Sequence, residues 1–178
     1  RLLNWTFFLS EVARMDLDLV PTHADEAGGL GFLGTAHTSL GIFAFAVSSV
    51  LSAEAGFRIV FEGAAIDTFK VPLAIMIITT QVVFLGPLFL FAPLLARKRR
   101  AWLREYSSFV VRYNRDFHRK WIEGPAPEGE PLLGSADIQS LADLGNSFQF
   151  IRDMKFVPFS RRVVLQMAVA TALPGLPL

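Results

Sequence analysis

The sequence predicts an all-α, polytopic helical membrane protein with a small cytoplasmic helical hairpin, and three observations predict it. Two long stretches carry no charge: residues 27–53 lack any Asp, Glu, Lys or Arg, and residues 71–96 lack any ionisable side chain. The basic residues are gathered, with 13 of the 17 Lys and Arg lying between Arg97 and Arg162. Composition agrees: 52% of residues are hydrophobic, only 19% are charged and 17 are Phe, where soluble domains carry roughly 25% charged residues.

Residues 1–35 read as a cytoplasmic or interfacial segment leading into the bilayer. They open on an apolar, aromatic run (Leu2, Leu3, Trp5, Phe7, Phe8, Leu9) and close on THADEAGGLGFLG, where Gly29, Gly31 and Gly34 stand in the spacing G-x-G-x-x-G. A dinucleotide-binding turn needs a strand ending at the first glycine and a soluble helix opening at the last. Here eight residues, Pro21 among them, separate the strand-like MDLDLV from Gly29, and the helix beyond Gly34 is a membrane span. The glycines therefore read as a compact turn at the interface, using positive φ and close backbone approach, with Asp25 capping a short helix.

Residues 36–56 are the first expected transmembrane helix. Ser39, Gly41, Ala44, Ala46 and Ser48 offer it a small-residue face for another helix. Residues 57–70 are the expected external loop. Residues 71–96 (VPLAIMIITTQVVFLGPLFLFAPLLA) form the second span. About 20 apolar residues cross the hydrocarbon, whereas a soluble helix averages about 11–12 residues. Within it, Gln81, Thr79 and Thr80 are candidates for a pathway or a helix–helix contact, and Gly86 and Pro87 are candidates for a kink or break.

Residues 97–162 read as a basic cytoplasmic helical segment. Over 97–122, Trp102, Tyr106, Phe109 or Val110, Tyr113, Phe117 and Trp121 recur every three or four positions among basic residues, the pattern of an amphipathic helix. GPAPEGEP at 124–131 ends it. Ser135 caps the next helix, Asp137 suits its first turn, and Ile138, Leu141, Leu144, Phe148 and Ile151 form an apolar stripe that packs on the first helix. The basic helix either packs on its own protein with a solvated face, or lies on anionic headgroups or a partner through Arg97, Lys98, Arg99, Arg100, Arg104, Trp102 and Trp121. Nucleic acid is not expected on a helix fused to a span. Residues 163–178 read as the start of a further transmembrane helix, and the chain as a fragment of a longer protein.

The charges set the orientation. Residues 54–70 carry only Arg58 and Lys70 as basic groups, so the positive-inside rule puts 97–162 in the cytoplasm and 54–70 outside.

Chemistry is sparse. With no cysteine, disulfides, zinc–thiolate sites and thiol nucleophiles are excluded. His23, Asp25, Glu26 and His37 are candidates for a metal site or a proton relay, against a competing reading as turn chemistry. Nothing is placed as catalytic, no cofactor is indicated, and the case for an enzyme is thin.

At LDLVPTHADEAGGLGFLG (17–34), IQSLADLGNSF (138–148) and MKFVPFSRRVVLQMAVATALP (154–174), the chain resembles a family of uncharacterised bacterial multi-span inner-membrane proteins. In that family the first motif usually reads V-P-T-H-P-D; here Ala24 stands in place of the second proline. The resemblance implies a bacterial inner membrane and further spans on both sides of this chain, and implies no activity. The expected role is channel- or transporter-like, in a lipid bilayer and as a homo-oligomer. The alternatives are a non-transporting scaffold or sensor that docks a partner through its cytoplasmic helices, and a membrane enzyme at the His23/Asp25 loop.

Overall fold

A computed structural model describes residues 1–125, 128–129, 131 and 134–176. Residues 126, 127 and 130 of the expected linker, and 177–178 of the expected third span, lie outside the described residues. The regular elements among those described are helical: α1 (Leu2–Arg14), α2 (Gly31–Thr38), α3 (Gly41–Glu62), α4 (Lys70–Leu85), α5 (Ala92–His118), α6 (Ala136–Asp153) and α7 (Arg161–Ala172). Tight 3-10 turns cover Ile66–Phe69, Gly86–Phe91 and Leu173–Gly175. The chain divides into two compact units.

The first unit comprises Arg1–Leu17, Leu30–Ala92 and Val157–Leu178. In it α7 packs against both α3 and α4. Named contacts fix the directions. Gly34 N donates to Pro158 O (3.1 Å), and Ser48 Oγ donates to Thr171 O (2.5 Å), so α3 and α7 run the same way. Gln81 Nε2 donates to Val164 O (3.1 Å), while Leu73 lies beside Gly175, so α4 runs opposite.

The seam on α3 is made of small residues. Gly41, Ala44, Ser48 and Ala55 are its buried positions, spaced three to seven apart and hence on one helical face. A Cβ at Gly41 would stand 3.6 Å from that of Ala170. Ser39 and Ala46, expected on this face, are exposed: they fall off the 41–44–48–55 register, and Ser39 Oγ is instead bonded to Ala36 O in the preceding turn.

The bulky side chains point the other way. Phe43, Val50 and Val60 on α3 and Ile75, Ile78 and Val82 on α4 are 58–73% exposed. Two continuous helical runs, Gly31–Glu62 and Ile66–Glu123, are long and apolar enough to cross a membrane. Their most apolar stretches are only 22% and 17% buried, whereas the core helix of a soluble protein would be mostly covered. Small residues inside and large apolar residues outside is the arrangement expected where lipid tails supply the solvent.

The bounds differ from the expected ones. The first apolar helix starts five residues before 36, breaks around Ser39–Leu40, and runs on to Glu62. Only Gly63–Ala65 then separates it from the next helical turn, so most of the loop expected over 57–70 is helical. The second run is not one α-helix: it tightens into 3-10 geometry from Gly86, with Pro87 at its start, because proline removes a helical N–H bond. There α1 packs, on a segment whose Leu88 and Phe91 are fully buried. With 12 residues, α7 is about 18 Å long, short of the roughly 30 Å hydrocarbon core.

The second unit comprises Asp18–Gly29 and Pro93–Phe156. Leu19, Ala27, Leu94, Leu95, Ile151 and Met154 are its buried apolar side chains. Ser135 caps α6 as expected, accepting from Ile138 N at 3.4 Å. Long side chains link α5 and α6 in antiparallel sense: Tyr113 Oη donates to Asp137 O (3.1 Å) near one end, and Arg99 Nη2 donates to Arg152 O (2.5 Å) near the other. The expected apolar stripe of α6 is only partly used. Ile151 is buried, Leu141, Leu144 and Phe148 are half-buried, and Ile138 is exposed.

Candidate functional site

The loop of the second unit is built around one carboxylate. Asp25 Oδ1 accepts from Ala27 N (2.8 Å) and Gly29 N (3.1 Å), and lies 2.9 Å from His23 Nδ1. Asp25 thus closes a turn on its own loop; it does not cap a helix, since α2 has no side-chain cap. Glu26, with φ of 56°, and Gly28 and Gly29, with φ of 66° and 97°, bend the backbone. Val20 N closes the loop on Gly28 O (3.4 Å). A Cβ at Gly28 would lie 3.2 Å from both Leu19 and Met154, so the glycine serves close packing. Glu26 is committed to Lys155, by an ion pair of 2.7 Å and a backbone bond of 2.6 Å from Lys155 N to its carbonyl.

This geometry weighs against a metal site. Among the described residues no three His, Asp or Glu side chains converge to hold an ion. His37 sits in the other unit, 2% exposed, with both ring nitrogens engaged. Nδ1 lies 2.7 Å from Leu33 O, and Nε2 accepts from the Trp5 indole N–H at 3.2 Å. An indole only donates, so the network assigns the neutral Nδ1–H tautomer. His37 joins α1 to α2.

Of the span candidates, Gln81 makes the helix–helix bond already described, and its Oε1 is buried without a hydrogen-bond partner. Thr80 is half-buried and Thr79 exposed. Gly86 and Pro87 open the segment on which α1 packs. Between α3 and α4, past the end of α7, a cleft of about 330 Å³ is lined by apolar side chains such as Leu51, Phe69, Leu73 and Met76, with Arg58 and Lys70 among its walls.

The basic segment separates into two faces. Trp102 stacks on Tyr106 (5.5 Å between centroids). Trp121 Nε1 donates to Asp137 Oδ2 (3.0 Å), which also takes Lys120 Nζ at 2.8 Å. These two donors, Lys120 first, hold the Asp137 carboxyl below the ordinary aspartate range. Arg99 caps Arg152 O and lies over the Phe156 ring at 4.9 Å. Arg99 and Trp121 are therefore turned towards α6, and Trp102 and Lys98 are half-buried. Arg97, Arg100 and Arg104 are exposed, and so are Arg112 and Arg115 further along α5 and Arg119 in the π-helical turn that follows it. The contact candidates read from the sequence stopped at Arg104 and left out those last three; Arg112 lies eight residues beyond Arg104, and steps of three and four to Arg115 and Arg119 keep the same face. Sequence reasoning also missed Asp137 as the hub of the pair. In comparisons with known proteins, the chain matches no protein-family model, no curated protein and no solved structure.

Proposed function

We propose that this protein is a polytopic scaffold of the bacterial inner membrane, with α3, α4 and α7 in the bilayer and the α5–α6 pair on the cytoplasmic side, where it docks a partner. The observation that carries this reading is the sorting of side chains: the buried positions of α3 are glycine, alanine and serine, and Phe, Val and Ile on α3 and α4 face outward. Water would penalise that outward face by roughly 25 cal/mol for each Å² of apolar surface; lipid removes the penalty. The clustering of basic residues in 97–162 supports the sidedness. Scaffolding fits the seam better than conduction does, because Ser48, Thr171 and His37 are all hydrogen-bonded within the unit. The resemblance to bacterial multi-span proteins is consistent with this location. The unpartnered Oε1 of Gln81 favours a second, pathway reading, since a buried acceptor gains from a passing donor.

Membrane extraction and sided labelling test the proposal. The chain is expected to stay in membranes through alkaline carbonate. Because it has no native cysteine, Ser140→Cys on the exposed side of α6 is expected to label only from the cytoplasmic face and Ala64→Cys only from the opposite one. Release of a monodisperse chain into detergent-free buffer overturns it. Solute flux through the same protein in liposomes, abolished by Gln81→Leu, would select the pathway reading.

A further inference from the structure

We propose that the outer face of α5 is a docking surface for the phosphates of an anionic phospholipid bilayer; this rests on the membrane reading above. At 100° per residue, Arg97, Arg100, Arg104, Arg112 and Arg115 fall within a sector of about 120°, with Arg119 one residue past the end of α5 in a π-helical turn. All six are exposed, and the five on α5 run about 27 Å along the helix at 1.5 Å per residue. The opposite side of α5 is the one turned to α6, with Tyr106, Val110, Tyr113 and Phe117 half-buried. The row is therefore a face left over after the unit has satisfied its own packing.

Its chemistry is specific. No lysine falls in the sector, although Lys98 lies on the same helix outside it. Guanidinium presents a planar fork of donors that meets phosphate oxygens in pairs, where ammonium acts as a point charge. Neutralisation within the chain is slight: Asp116 pairs with Arg119 at 3.1 Å, and Glu105 and Glu123 stand at the margins of the row. Shallow grooves follow it, one lined by Arg104, Ser107, Ser108, Val111 and Arg115. Apolar side chains are interleaved: Phe109, Val111 and Ile122 are 45%, 48% and 64% exposed. Arginine mixed with exposed apolar groups suits the interfacial zone of a bilayer, where both find partners. A soluble polyanion would meet only the first. The chain's net charge of +1 also gives little long-range pull on nucleic acid, leaving short-range contact at a surface already close by.

The test uses the whole chain in lipid nanodiscs with a fluorophore on Ser108→Cys, at the middle of the row. In discs containing phosphatidylglycerol, the probe is expected to be shielded from aqueous iodide, and in purely phosphatidylcholine discs to be open. Salt should reverse the shielding, since exposed charges are screened within about 10 Å at 0.1 M. Each of Arg104→Gln, Arg112→Gln and Arg115→Gln should lower the apparent affinity for the anionic lipid about fivefold, with helix content unchanged by circular dichroism. Equal shielding in both disc types, or shielding indifferent to the arginines, overturns the proposal. So does shielding by a soluble oligonucleotide or acidic peptide that exceeds that by the lipid. A chain that enters the discs yet fails these readouts sinks this inference alone; one that never enters them sinks the membrane reading as well.

Discussion

Gly34 shows how much a single missing carbon can matter. A Cβ there would fall 2.6 Å from Pro158 O and 2.8 Å from the Phe159 Cα, against backbone that has nowhere to go. Gly34→Ala is expected to destabilise the first unit by about 1–3 kcal/mol, the usual cost of overpacking. A thermal melt in detergent measures it, with Gly86→Ala as the control, because nothing lies within 4 Å of a Cβ there. The sequence showed the glycine and suggested a nucleotide turn only to dismiss it. What it could not show was the segment around Pro158 arriving from 124 residues later, since no local pattern encodes a backbone contact at that separation. His37 was legible as a polar group inside an apolar run. Its partner was not, because an indole on α1 has no periodic relation to an imidazole on α2.

The α5–α6 pair was largely readable as two helices with a cap at Ser135, because capping and amphipathic spacing are local signals. The means of pairing was not readable. An apolar stripe suggested close packing, but the structure spans the gap with Tyr113, Lys120, Trp121 and Arg99. Asp137 makes that linkage dependent on pH. Its folded pKa is lowered, first by Lys120 and then by Trp121, so its contribution is fully present above the ordinary aspartate pKa of about 3.9. The contribution fades as pH falls through the lowered folded value, where protonation removes the acceptor charge. Acid titration of the Trp121 environment by fluorescence, with Trp5 and Trp102 replaced by Phe, should show this transition in the parent and lose it in Asp137→Asn. An identical acid limb in both proteins would place the linkage elsewhere.

That two helical runs are long and apolar enough to cross a membrane was legible from composition, since both stretches are uncharged over more than 25 residues. Their bounds were less so: the Ser39–Leu40 break carries no local signal, whereas the 3-10 tightening at Gly86 was legible in Pro87, and the uncharged run from 163 was legible although α7 has only 12 residues. The parallel course of α3 and α7 can be tested directly. A Cβ built at Gly41 stands 3.6 Å from the Ala170 Cβ, inside the roughly 3.5–4.5 Å that a disulfide requires. Gly41→Cys with Ala170→Cys should cross-link under mild oxidation and shift on a non-reducing gel, while Ile42→Cys with Ala170→Cys should not. The bond between Ser48 and Thr171 joins residues 123 positions apart. At about 5–20 residues per second, a ribosome takes roughly 6–25 s to make that stretch. For all of that interval the groove that α7 will fill is vacant, so the newborn chain spends its most vulnerable moments with its tightest joint still unmade.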